Sequence, residues 1–252
     1  MKRMLTALSI AALGTLSAGN SFAYQTFLGQ DANGNPTLIP AITNSTNAQL
    51  AFFGLGTAQV ENFENQPVGP GPLTLAFGSG NTAVNATLSG VNGAVERVGT
   101  TFTDGRFSVP GGNQFWAATA SNSSNAFNIA FSADVEAFGF FGIDIGDFGG
   151  NLSMELVNAA GNTVSFPINT LASGQDGSVL YFGIRAENQS EWIRSIRFRL
   201  SNTGVQDDAF AFDSFTVVGA PRPPPGQIPE PGTLALAGLA LLGASLVRRR
   251  RR

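Results

Sequence analysis

The sequence predicts an all-β protein, a single jelly-roll-like β-sandwich, and three observations carry that prediction. Short segments of alternating apolar and polar residues recur between turn signals, the pattern of strands with one face on a core. No stretch between Tyr24 and Pro231 sustains a three-to-four-residue apolar period, so little helix is expected there. Glycine is abundant at 31 residues, and phenylalanine, at 21, is by far the commonest aromatic. Glycine suits turns, and phenylalanine suits strand faces that fill a core.

Taken in order, residues 1–23 combine a basic start (Lys2, Arg3), an apolar stretch and a small-residue exit at Ser21 and Ala23. That is a secretory signal peptide with cleavage between Ala23 and Tyr24. Residues 24–47 are polar and turn-rich and read as a partly ordered lead segment. The sandwich is expected over residues 48–219. Its first arms, "LAFFGLGTAQVENFE" and "LTLAFGSG", flank the proline–glycine loop "NQPVGPGP". "TAVNATLSGVNGAVERVG" has two alternating arms around Asn92-Gly93, a hairpin signal. "AFNIAFSADVEAFGFFGIDIGDFGG" reads as two strands separated around Ala133 to Glu136. "LSMELVNAAGNTVSFPI" is a hairpin turning at Ala160-Gly161-Asn162, and "SVLYFGIRA", "WIRSIRFRL" and "AFAFDSFTVVG" complete the series. Residues 220–228 form a proline-rich linker, extended and stiff.

Residues 229–252 hold three unlike parts: Pro229, Glu230 and Pro231, then an uncharged apolar run, then Arg248, Arg249, Arg250, Arg251 and Arg252. A helix over the sixteen uncharged residues 232–247 would cover roughly 24 Å against a hydrocarbon core of roughly 30 Å, a short transmembrane segment. The arginines resist translocation and stay cytoplasmic. This ending resembles the PEP-CTERM sorting signal of Gram-negative bacteria. The resemblance implies transient inner-membrane anchoring, recognition by an exosortase, removal of the tail, and delivery to the cell surface or extracellular matrix. "AFGFFGIDIGDFGGNLSMEL" and "DDAFAFDSFTV" also look like segments of the globular parts of some PEP-CTERM proteins.

Composition narrows the chemistry. Between Tyr24 and Pro231 the chain holds seven basic and seventeen acidic residues, a net charge of −10, and no lysine. Such a surface repels phosphate backbones, which argues against nucleic acid. There is no cysteine and no histidine, so thiol and imidazole nucleophiles, most zinc sites and disulfides are excluded. Any metal would be a hard ion held by oxygen, calcium first.

Candidate sites follow from the residues that remain. Glu64, Asp207 and Asp213, with Glu61 and Asp208 nearby, are candidate structural-calcium ligands where the first and last strands of a jelly roll meet. Asp31, Asn33 and Asn35 begin like a calcium loop, but Pro36 and Ile42 stand where it needs glycine and glutamate, so the stretch reads as a turn. Asp144 shares strand parity with Phe138 and Phe140; an inward carboxylate needs partners, and Arg194, Arg197 and Arg199 are the candidates. Trp116, Trp192 and Tyr181 are the flat rings that could stack on a pyranose, with Trp116 favoured by its amide-rich surroundings. The expected function is an exported, non-catalytic surface or matrix protein, with exopolysaccharide as the partner beyond signal peptidase and exosortase. Two alternatives stand beside it: a carboxylate-dependent glycan hydrolase or lyase using Asp144 or Asp147, and a self-associating structural protein.

Overall fold

A computed structural model describes residues 24–33, 41–79, 83–90, 93–98, 105–109, 111–120, 125–147, 150–168, 176–202 and 207–219. The signal peptide, linker and sorting tail expected from the sequence lie outside the described residues, together with Ala23, Asn35, Pro36 and Asn92. The elements are β1 (Tyr24–Asp31), α1 (Thr43–Phe53), β2 (Ala58–Glu61), β3 (Gly69–Pro70), β4 (Leu73–Phe77), β5 (Val84–Gly90), β6 (Ala94–Arg97), β7 (Gln114–Ala120), β8 (Asn125–Ile143), β9 (Gly150–Asn158), β10 (Thr163–Ile168), β11 (Val179–Ala186), β12 (Ile193–Asn202) and β13 (Asp208–Gly219).

All pairings among these strands are antiparallel, and they resolve into two layers that share β8. The first half of β8 pairs β12 and β5, giving the order β10-β9-β12-β8-β5-β4. Its second half pairs β11 and β13, giving β1-β11-β8-β13-β7-β6-β3, with β2 on the far end of β13. The expected break around Ala133 to Glu136 is therefore not a gap between two strands. It is where one 19-residue strand changes partners, from Val135 opposite Ile193 to Ala137 opposite Arg185.

Alternation explains the core. Phe127 and Phe198 from one layer stack at 4.6 Å, and Phe140 and Phe212 from the other reach them at 5.1 Å each (Phe140 to Phe198, Phe127 to Phe212). All four are fully buried, as two sheets packed face to face require. On β13 the parity flips: Phe210 and Phe212 face this core, and so do Phe215 and Val217. A bulge between Asp213 and Thr216, with Ser214 at φ 48°, inserts the extra residue.

The outer face of the second layer has a core of its own, built from Phe52, Phe107, Val109, Phe141 and Tyr181. α1 covers it, which corrects the expectation of a loop over residues 24–47: β1 fills 24–31 and the helix begins at Thr43. Its apolar period was invisible because its buried positions are Ser45, Gln49 and Phe52, helical in spacing but polar at two of three places. Asp31 supplies the reason. Its Oδ1 accepts the Asn44 backbone N–H at 2.9 Å, and its Oδ2 accepts the Ser45 N–H at 2.8 Å and the Ser45 hydroxyl at 2.6 Å. The helix start is thus capped from β1.

The Asn92-Gly93 hairpin does not form. β5 pairs β4 and β8 while β6 pairs β3 and β7, so the two arms belong to different layers. Gly93 is instead a place of close approach: a Cβ there would lie 2.2 Å from Trp116 Cζ2. The expected β9–β10 hairpin does form, with Asn158 donating its N–H to the Asn162 carbonyl and Gly161 at φ 84°.

Candidate functional site

Strand parity decides the fate of the three candidate rings. Trp116 on β7 turns between the layers, 1% exposed, against Phe127 at 6.1 Å and close to Gly71 and Gly93. Tyr181 on β11 turns the other way, into the outer core, with Phe141 at 5.1 Å and Phe52 at 5.9 Å. Neither ring offers a face to solvent, so both assignments as ligand contacts are corrected to core.

Trp192 is different. It follows a 3-10 turn over Gln189–Glu191 and precedes β12. The turn is pinned at both ends. The Trp192 carbonyl accepts the Ala159 N–H at 2.7 Å, the Ser190 carbonyl accepts the Ala160 N–H at 3.0 Å, and the Glu191 carbonyl accepts the Tyr24 hydroxyl at 2.9 Å. On this fixed backbone the half-buried ring lines an open groove of about 420 Å³, shared with Gln25, Glu136, Arg185, Ala186, Glu187, Asn188 and Gln189. Register brings the strand residues together: Gln25 on β1 lies opposite Arg185 on β11, and Arg185 lies opposite Ala137, next to Glu136. Arg185 Nε and Nη2 both reach Glu136 Oε1, at 2.7 and 2.6 Å. An aromatic surface beside amides and a closed ion pair is chemistry that holds a hydroxyl-rich ring.

The calcium junction expected from Glu64, Asp207 and Asp213 does not assemble. Glu64 Oε1 accepts the Asn113 and Gln114 N–H groups at 2.7 and 2.8 Å. Asp213, fully buried, accepts the Ser108 hydroxyl and the Val109 N–H on Oδ2, both at 2.7 Å, and the Ser214 N–H on Oδ1 at 2.5 Å. These two carboxylates tie loops to the sandwich, with N–H groups pointing where a cation would sit. Asp207 is exposed, and Asp208, at the first position of β13, is buried and accepts the Gly150 N–H at 2.8 Å. Burial pushes the Asp213 carboxyl up to about 8, against the pull of its three donors.

The carboxylates that do converge are Asp144, Asp147 and Asp176, each offering an oxygen within 4.8 Å of the others; among the described residues no other such group of three occurs. Asp144 is buried as its parity suggested, but its partners are not arginines. Arg194 pairs with Asp134 at 3.1 Å and Arg199 with Glu155 at 2.6 Å. Asp144 sits past the end of β8 at φ 62°, gives its N–H to the Ser178 carbonyl and accepts the Gly177 N–H on Oδ1 at 2.7 Å. Gly105 crosses directly above, where a Cβ would lie 2.0 Å from Asp176 and 2.5 Å from Asp144 oxygens. Burial, reinforced by Asp147, Asp176 and Asp208, pushes the Asp144 carboxyl up to about 8. The sequence singled out Asp144 and Asp147; Asp176 gave no signal, since only the β8–β11 pairing delivers it.

Residues 227–252 match the family model described as the PEP-CTERM protein-sorting motif. The chain carries a PEP-CTERM motif. That motif, with Pro229, Glu230, Pro231 and the arginine cluster, implies an exported protein processed at the membrane by an exosortase. No curated protein shows significant sequence similarity to this PEP-CTERM chain. Among solved structures it is similar to the K2 cleaved adhesin domain of Lys-gingipain, at 12% identity over 64% of this chain and 99% of that one, TM-score 0.39. It is also similar to TmCBM61 in complex with β-1,4-galactotriose, at 17% identity over 54% and 88% of the two chains, TM-score 0.35. A third is the CBM22-1 xylan-binding domain of Xyn10C from Paenibacillus barcinonensis, at 14% identity over 65% and 92%, TM-score 0.32.

Proposed function

We propose that this PEP-CTERM protein is a non-catalytic component of the cell surface or extracellular matrix, and that it holds exopolysaccharide in the groove at Trp192. In this reading signal peptidase cleaves before Tyr24, the apolar tail holds the chain in the inner membrane, and the exosortase removes that tail. The observation that carries the binding role is the Trp192 ring, set on a backbone held by hydrogen bonds and open on a groove where the Gln25, Asn188 and Gln189 amides stand beside Glu136, Arg185 and Glu187. A ring stacked on a pyranose contributes on the order of 1 kcal/mol or more beyond the area it buries, and the surrounding amides orient the hydroxyls.

Geometry weighs against the hydrolase alternative. Asp144 is 2% exposed beneath Gly105, and neither it nor Asp147 lines the groove. Of the two carboxylates that do, Glu136 is tied to Arg185 and Glu187 is exposed at the rim. Affinity electrophoresis of the full chain in detergent through gels containing extracted matrix polysaccharide tests the proposal. Retardation of the native chain, reduced at least tenfold in affinity by Trp192→Ala with an unchanged melting temperature, is the expected result. Free migration of the native chain ends the binding role, and product release from the polymer ends the non-catalytic one. A concentration-dependent rise in mass without polymer would favour the self-associating alternative.

A further inference from the structure

We infer that the groove selects uncharged saccharide and turns away chains bearing uronates; this rests on the Trp192 groove being the saccharide site. Among the described residues Arg185 is the one cationic side chain lining it, and it is already committed: Nε and Nη2 both bind Glu136 Oε1. A guanidinium recognises a ligand carboxylate through such a pair of N–H groups, and here a protein carboxylate holds that place. Glu136 is also the less exposed partner, its side chain at 17% against 35% for Arg185, so an incoming anion has to displace a partly sheltered ion pair.

What remains facing the ligand is neutral or negative. Gln25 and Gln189 carry amides, which donate to and accept from hydroxyls without charge. Glu187, exposed at the rim, leaves the groove with one carboxylate beyond the Arg185–Glu136 pair. The wider field has the same sign, since residues 24–231 carry −10. A charged polymer therefore meets repulsion on approach and again at contact, whereas a neutral one meets neither.

The test uses the acidic fraction of the extracted matrix polysaccharide, before and after chemical reduction of its uronates to neutral sugars, beside the neutral fraction. Binding to the full chain is measured by calorimetry in low salt with EDTA, which removes cation bridging. The neutral and reduced fractions should bind at least tenfold more tightly than the native acidic one. Glu136→Gln releases the guanidinium and should raise affinity for the native acidic fraction several-fold. Glu187→Gln, an exposed change that leaves packing alone, should raise it by a smaller factor. Equal or tighter binding of the native acidic fraction overturns the selectivity while the saccharide site stands. No binding of any fraction overturns both.

Discussion

Ser108 donates its hydroxyl to Asp213 at 2.7 Å, joining the loop before β7 to the bulge of β13 across 105 residues. The same carboxylate oxygen takes the Val109 N–H, and Ser214 returns its hydroxyl to the Val109 carbonyl at 2.8 Å. Asp213→Ala leaves these buried donors unmatched and should cost about 3 kcal/mol, whereas Ser108→Ala removes one donor and should cost about 1 kcal/mol. Urea denaturation of both variants and of the double variant checks this; costs that simply add would argue that the two side chains act independently.

The helix cap gives a second expectation. Asp31→Ala removes three hydrogen bonds from the start of α1 and should destabilise by about 1–3 kcal/mol. Because α1 covers the outer core, the loss should appear as earlier helix melting in far-ultraviolet circular dichroism and as increased dye binding.

Dependence on pH has two opposing parts. Asp144 and Asp213 hold carboxyls raised to about 8 by burial, so between about 4 and 8 the folded chain binds more protons than the unfolded one. Stability should fall as pH rises through that window, by at most about 1.4 kcal/mol per pH unit for each group. Burial also raises Asp31, but the bonds from Ser45 and Asn44 outweigh it and leave its carboxyl below the ordinary value. Its contribution is present above about pH 4 and is lost below. Melting temperature should therefore peak near pH 4–5. Asp144→Asn, which keeps an acceptor for Gly177 and abolishes the proton, should flatten the slope and be more stable than the native chain at pH 8.

The two tryptophans should be separable by light. Trp116 is sealed between the layers and Trp192 is half-buried at the groove. Trp192→Phe should leave a blue-shifted emission that acrylamide quenches poorly. Gly93→Ala, with its Cβ driven into the Trp116 ring, should cost about 1–3 kcal/mol, and Trp116→Phe in the same chain should recover part of it. Strong quenching of the Trp192→Phe variant would contradict the burial of Trp116.

Much of the architecture was legible because period-two alternation is a local signal. The β9–β10 hairpin, the closing strands and the inward phenylalanines all follow from it. Strand partnership is not local, which is why the arms around Asn92-Gly93 read as a hairpin yet lie in different layers. α1 has no legible apolar period because Ser45 and Gln49 occupy buried positions, and Ser45 is held by Asp31 from another element. At the site, Trp116, Trp192 and Tyr181 were all legible as flat rings, with Trp116 favoured by its amide-rich surroundings, and only the folded strands show Trp116 and Tyr181 turned into the cores. The bulge at Ser214 had no sequence signal, and without it the facing of Asp213 could not be derived. Arg185 and Glu136 lie 49 residues apart and meet only through the β8–β11 register.

β8 lends its first half to one layer and its second half to the other, so a single backbone belongs to both walls of the sandwich. Peeling either wall would drag the shared strand away from its neighbours in the opposite one. The domain should therefore melt as one cooperative unit. For an exported protein, such all-or-none behaviour would leave proteases few partially unravelled forms to attack.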